Sequence, residues 1–262
     1  MIGGIFHQGS GLGNQLFRYI TTRSLAQDKG FEWGMAYRPD GSGKEEGFKG
    51  KSFMNIDMGK EVLLHYEGVP LEGQPVYKWW DEKKVIEDGV DIRGYDPEIN
   101  FVEDGTIIDG EFQDERYWKP HMSDIQQWLA VEPIQVTPDI CVIGFRGGEF
   151  LVFPDLFLTQ DYWDEAMKKM GDKSFEVHTD DVNTAKQFFP TSPILHNVGM
   201  NWRSLRYAKY AIIANSSFFI LPRLLKHHED PEAVTIAPRY WARRNIKKWA
   251  LPQNYYKEFT YL

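Results

Sequence analysis

The chain has 262 residues, 15% of them aromatic, with one cysteine and a formal net charge of −8 at pH 7. That length is enough for two domains of ordinary size, and the lone Cys141 excludes an internal disulfide and a cysteine-built zinc site. Charge is uneven: Gly199 to Lys257 carries eleven Lys/Arg against three acids, a local +8, while residues 1–198 carry nineteen against thirty-four, a local −15. An acidic body with a basic C-terminal quarter argues against general nucleic-acid binding. It suits a localised anionic ligand, an anionic surface or a pair of solvated helical faces. No apolar run approaches ~20 residues, so no membrane-spanning helix is expected. The first strand pattern starts at residue 2, so no signal peptide or anchor is expected either, which points to a cytoplasmic setting with Cys141 as a small buried hydrophobe.

Ile2 to Phe6 reads as a strand. Gly9-Ser10-Gly11-Leu12-Gly13-Asn14-Gln15-Leu16-Phe17-Arg18-Tyr19 follows, and Leu12, Leu16, Ile20, Leu25 and Ala26 keep close to a helical period up to Asp28. The unit is strand, glycine turn, helix. Its first helical N–H groups lack intrahelical partners and favour an anion, typically phosphate. It is not the dinucleotide fingerprint, because Asn14 stands where a glycine is needed, and no Gly-Lys-Ser/Thr closes it as a P-loop. The same residues also fit a turn that only packs a helix on a strand.

Phe31 to Ala36 is a second strand pattern, and Pro39 to Gly47 has loop composition. Val62 to Tyr66 and Pro75 to Trp80 read as strands or loop-strand pieces. Thr106 to Gly110 reads as a strand ending in a turn, and Ser123 to Val131 as a helix with Ser123 as its N-cap. Pro133 to Pro138 marks a boundary, giving an N-terminal α/β domain over 1–135 on the acceptor side and a C-terminal Rossmann-like domain over 136–262, its last helix packing back on the first domain. In the second part, strands at Ile140–Phe145, Phe175–His178, Ile194–Val198, Ala211–Ala214 and Val234–Ala237 alternate with helices at Gln160–Met170, Val182–Phe188, Trp202–Lys209 and Ser217–His227. The alternation predicts βαβ units, a parallel sheet and an α/β fold.

Ligands of such sheets bind at the carboxyl ends of the strands. The residues there are Arg146-Gly147-Gly148-Glu149, Thr179-Asp180-Asp181, Asn215-Ser216-Ser217 and Pro238-Arg239. Arginine can fork two phosphate oxygens, an Asp can take ribose hydroxyls or a base edge, and small polar residues opening a helix can bind phosphate. Each has a plainer role too: Arg146 as an ion-pair partner, Asp180 as a helix cap, Ser216 and Ser217 as caps. Two such halves facing one another across a cleft are the GT-B architecture of nucleotide-sugar glycosyltransferases.

Four stretches resemble the alpha-1,2-fucosyltransferase family. Gly11 to Tyr19 is similar to its GGLGNQxFxY signature, with Ser10 in place of the first glycine. Gly110-Glu111-Phe112-Gln113 with Tyr117-Trp118 resembles its GxFQ…YF segment, and Phe175 to Asp181 its FSDD strand end. Ala211 to Phe218 is similar to IIANSSF, with Ala237-Pro238-Arg239-Tyr240-Trp241 in the place of APxxW. The family's HxRRGDY segment appears as Gly144-Phe145-Arg146-Gly147-Gly148-Glu149-Phe150, without the histidine and second arginine and with Glu for Asp.

The resemblance implies metal-independent, inverting transfer of L-fucose from GDP-fucose to a hydroxyl of an acceptor glycan, a galactoside 2-alpha-L-fucosyltransferase activity. It places the diphosphate on Arg146, Ser216 and Ser217, the ribose or guanine on Asp180 or Asp181, and Asn14 against diphosphate or fucose. Gly11, Gly13, Gln15, Asn215 and Phe218 complete the binding set. The general base is Glu149, His7 or Asp155, in that order. No Asp-x-Asp occurs in the sequence, so no metal and no cofactor are expected. The altered arginine segment also fits another nucleotide sugar, or a glycan-binding protein of weak activity. Arg243 to Trp249, a basic stretch ending in tryptophan, reads as a surface helix or as a peripheral contact with an anionic membrane.

Overall fold

A computed structural model of the chain describes residues 1–7, 9–38, 47–62, 64, 76–87, 90–240, 242–245, 248–250 and 255–262. The loop expected over Pro39–Gly47 and the strand piece expected over Val62–Tyr66 lie almost wholly outside these residues. The chain divides into two compact units, Met1–Ala130 and Val131–Leu262. Both are α/β with parallel sheets, as expected. Among the described residues no helix is long and apolar enough to cross a membrane.

The first unit holds strands β1 (Ile2–His7), β2 (Trp33–Arg38), β3 (Lys78–Asp81) and β6 (Thr106–Asp109) in a parallel sheet of order β2-β1-β6-β3. β4 (Lys84–Glu87) and β5 (Val90–Arg93) form a separate antiparallel pair. Helix α1 (Leu12–Lys29) follows β1 at once and stops at Gly30, whose left-handed backbone (φ 67°) lets its N–H reach the carbonyls of Ala26 and Gln27. Leu16, Phe17, Tyr19 and Ile20 are wholly buried, so the helical period read from the sequence is the packed face. A short helix α2 spans Met122–Trp128. Its cap position is His121, so Ser123 lies inside the helix and is not the N-cap expected of it.

The second unit holds β7 (Ile140–Phe145), β8 (Ser174–Thr179), β9 (Ile194–Leu195), β10 (Tyr210–Ile213), β11 (Val234–Ala237) and β14 (Thr260–Tyr261). They are all parallel, in the order β14-β11-β10-β7-β8-β9. α3 (Gln160–Met170) and α4 (Val182–Phe188) have the expected bounds. α5 (Val198–Tyr207) starts earlier than expected, because Asn197 accepts from the Met200 N–H and caps the helix where a strand was read. α6 (Ser217–Glu229) carries Pro222 in its interior. The last helix expected near the C-terminus is absent from the described residues. Ala242–Asn245 (β12) and Lys248–Ala250 (β13) pair antiparallel, with Arg243 opposite Trp249. The helical spacing of this stretch in the sequence is overridden by the pairing of the two strands.

Arg223 of α6 is fully buried and ties the sheet to its helices. It donates to the carbonyls of Leu205 (2.8 Å), Ala208 (2.7 Å), Lys209 (3.3 Å) and Val234 (3.2 Å), and to Thr235 Oγ1 (2.8 Å). Burial brings its guanidinium down to about 9, so it remains charged at neutral pH. One turn on, His227 meets Thr235 Oγ1 at 2.9 Å, and burial, aided by the Arg223 charge, lowers it to about 4. An unfolded histidine takes up its proton near 6.5, well before the folded one, so stability present above that pH is lost as pH falls toward 4. The loss expected from this group is about 3 kcal/mol over that window. Urea titrations of wild type and His227→Gln at pH 7 and pH 4.5 check it: the wild type should lose more stability by roughly that margin.

Candidate functional site

At the carboxyl edge of the first sheet, β1 and β6 are neighbours, and their last residues are His7 and Asp109. His7 Nε2 lies 2.9 and 2.8 Å from the two Asp109 oxygens. Arg18, reaching back from α1, donates from Nη1 to Asp109 Oδ1 (3.0 Å) and to the Ile5 carbonyl (3.3 Å). Burial works to raise the Asp109 pKa, but the His7 bond, the Arg18 charge and the Gly110 N–H outweigh it and hold the carboxyl below its ordinary value. His7 remains 29% exposed. Sequence reasoning listed His7 alone. Asp109 passed as a turn residue and Arg18 as part of a motif.

The glycine turn sits beside this cluster. Gly11 is the cap residue of α1, with no side-chain cap bond, and a Cβ there would meet nothing within 4 Å. Its place in the turn is therefore not a steric need. Asn14 Oδ1 accepts from Gln113 Nε2 at 3.3 Å, which joins the first turn of α1 to the loop after β6. That loop is held by the buried Glu82, whose Oε2 accepts the N–H groups of Glu111 (2.7 Å) and Phe112 (3.3 Å). Phe112 takes a left-handed backbone, φ 52°, which is costly for a bulky residue. Its ring stacks on Trp80 and meets Tyr117 edge-on. Gly13 and Gln15 are buried, and Gln15 Oε1 accepts the Lys49 N–H at 2.9 Å. Gln15 thus meets the protein's own backbone through Oε1, while its buried Nε2 has no hydrogen-bond partner among the described residues.

The second unit presents a different cluster. Arg146, one residue beyond β7, forks two carboxylates: Nη1 pairs with Asp180 Oδ2 and Nη2 with Glu149 Oε1 at 2.5 Å. Asp180 Oδ1 also accepts the Gly147 N–H at 2.9 Å, and the Arg146 guanidinium lies over the Phe150 ring at 5.2 Å. Gly148 has φ 32°, and a Cβ there would run into the Asp180 carboxylate. The loop comes this close to the strand end only because it is glycine. Two carboxylates on one guanidinium leave the cluster with an excess negative charge. Arg146 is therefore the ion-pair partner that the sequence offered as its plainer role, and Glu149 is bound to it.

Of the two aspartates, Asp181 is the cap. Its Oδ1 accepts the N–H groups of Asn183 and Thr184, each at 3.1 Å, and its Oδ2 the Thr184 hydroxyl at 2.5 Å. The Thr184 hydroxyl and then its N–H are the main causes holding the Asp181 carboxyl low. Asp180 is left to Arg146, so the cap expected at Asp180 falls one residue later. At the end of β10, Asn215 is buried and donates from Nδ2 to the Leu156 carbonyl at 3.0 Å. Ser216 caps α6 without a side-chain bond, so the first amides of α6, at Ser217 and Phe218, open the helix. The Phe218 ring packs on Trp202 (5.7 Å) and Phe219 (5.5 Å). Since β10 lies beside β7, the α6 N-terminus and Arg146 share one sheet edge. Asp155 lies exposed in a turn. Among the described residues, no group of three or more His, Cys, Asp or Glu forms a metal-binding set.

No family model and no curated protein match the chain. Solved structures do. The alpha-1,6-fucosyltransferase NodZ soaked with GDP-fucose is 14% identical over 85% of this chain and 92% of its own, with a TM-score of 0.43. The fucosyltransferase NodZ from Bradyrhizobium is 13% identical over 85% and 93%, with a TM-score of 0.40. The heptosyltransferase WaaC of E. coli with ADP is 12% identical over 100% and 92%, with a TM-score of 0.48. At TM-scores below 0.5 these likenesses assign neither family nor activity to this chain.

Proposed function

We propose that the chain is a glycosyltransferase that moves L-fucose from GDP-fucose to a hydroxyl of an acceptor glycan, in alpha-1,2 linkage, with inversion and without a metal. The observation that carries the reading is the edge of the second sheet. Arg146 with Asp180 at the ends of β7 and β8, and the open α6 amides at the end of β10, fall on the stretches whose sequence resembles the fucosyltransferase motifs. In this reading the acceptor oxygen attacks the anomeric carbon, the bond to the diphosphate breaks, and GDP leaves with the electron pair. The acceptor proton goes to a base on the protein. Helix amides and Arg146 meet the charge developing on the leaving group. Asp180 takes a ribose hydroxyl with the oxygen it shares with Gly147.

One observation favours a second reading. The carboxylates of Asp180 and Glu149 already balance Arg146, which weakens its pull on a diphosphate and suits a protein that binds glycans with little turnover. Thermal melts with GDP, GDP-fucose, UDP and ADP in the presence of EDTA separate the two. A ligand at 100 times its dissociation constant adds about 2.7 kcal/mol to folding. The expected result is a shift with GDP and GDP-fucose only, at full size in EDTA. A shift with UDP or ADP moves the donor assignment, a shift that needs added Mn²⁺ ends metal independence, and no shift at all leaves the glycan-binding reading.

A further inference from the structure

We propose that His7 Nδ1 is the group that takes the acceptor proton, that Asp109 positions His7, and that Arg18 fixes Asp109 in place. This rests on the transferase reading above. The geometry decides the tautomer. Nε2 faces both oxygens of an aspartate, 2.9 and 2.8 Å away, and an ionised carboxylate only accepts, so the ring proton sits on Nε2. The lone pair is then on Nδ1, on a ring that keeps 29% of its surface open at the sheet's carboxyl edge. Asp109 stays a carboxylate because Arg18, only 10% exposed, lies against Oδ1.

Three other described histidines have both ring nitrogens near partners or are buried: His121 lies between Asp28, 2.9 Å from Nε2, and Asp124, 3.5 Å from Nδ1. His178 is fully buried with both nitrogens engaged, Nδ1 on Asn201 and Nε2 on Glu176, and His227 is buried on Thr235. Glu149, the other candidate, is already engaged, its Oε1 accepting from Arg146 Nη2 at 2.5 Å. The charged groups that meet His7 or its partner are Arg18 from α1 and Asp109 from β6; in the sheet register, Arg38 is the backbone partner of His7 on β2 and Asp81 that of Asp109 on β3. In the same unit, the Asn14–Gln113 amide pair adds neutral hydrogen-bonding groups of the kind that hold a sugar hydroxyl.

Two measurements test this. Long-range ¹H–¹⁵N NMR of the wild-type protein reads the tautomer without any turnover. His7 is expected as the Nε2–H form, and Asp109→Asn is expected to weaken that preference. A wild-type His7 protonated on Nδ1 overturns the proposal. Kinetics with GDP-fucose, following release of GDP, are the second. His7→Gln is expected to lower kcat ~100-fold or more, the scale of a lost general base, with GDP affinity within about twofold of wild type. Asp109→Asn is expected to lower kcat together with the tautomer preference, with GDP affinity within about twofold of wild type; a merely structural Asp109 would leave the tautomer in place. Near-normal kcat in His7→Gln, or a larger loss in Glu149→Gln than in His7→Gln, overturns the proposal while leaving the transferase reading intact. Failure of the wild type to bind GDP, UDP and ADP alike ends the transferase reading, and the tautomer then still decides the geometry.

Discussion

Arg146→Ala is expected to lower turnover with GDP-fucose by about 100-fold or more, the scale of one lost electrostatic donor at a site of developing charge. Two effects add. The guanidinium is gone, and the carboxylates of Asp180 and Glu149 that it balanced are left facing the leaving diphosphate. The loss of charge balance should also weaken GDP binding, whereas Asp181, whose oxygens are satisfied by Asn183 and Thr184, should stay in place. Steady-state kinetics together with GDP calorimetry check both parts. Near-normal turnover in this variant would remove Arg146 from the mechanism.

The second large effect is structural. Arg223→Met keeps most of the side-chain volume and removes every donor. It takes the guanidinium donors from the carbonyls of Leu205, Ala208 and Val234, while the Lys209 carbonyl keeps the Val234 N–H and the Thr235 hydroxyl keeps His227. Two of those carbonyls, Leu205 and Ala208, belong to the last turn of α5, where no further helical N–H arrives and the dipole favours a cation. With each stranded buried group costing about 1–3 kcal/mol, a loss of about 4 kcal/mol or more is expected in urea unfolding. A loss below about 1 kcal/mol would mean that water reaches those carbonyls and that the clamp is dispensable.

What could be read from the sequence follows the range of the forces involved. The bounds of α3 and α4 and the run Ile140–Phe145 were legible because burial imposes a local period on the residues. The edge of the second sheet was legible for the same reason: once the strands are placed, the residues after them are fixed. The first site was not. His7 and Asp109 stand 102 residues apart, and Arg18 and Asp109 stand 91 apart, so only the adjacency of β1 and β6 joins them. An arginine on α1 carries no mark in the sequence that it will turn inward to a carboxylate. Asp180 and Asp181 show the limit at the finest scale: they are adjacent and chemically identical, yet one faces Arg146 and the other caps α4. The strand pair at 242–245 and 248–250 was read as helix because Arg243, Arg244, Lys247 and Lys248 recur at helical spacing in the sequence, a local pattern that the pairing of the strands overrides.

Pro222 gives α6 a joint. It has no N–H to offer the Phe218 carbonyl four residues earlier, so the helix ladder misses a rung just after its first turn. That turn carries the Ser217 and Phe218 amides, while the helix beyond is pinned by Arg223. The two segments therefore open to hydrogen exchange as separate units, the first from a local fluctuation and the second only with the unit as a whole. An anion held by the first turn would close that fluctuation, so occupancy of the site is recorded in the exchange of a few amides while the rest of the helix stays silent.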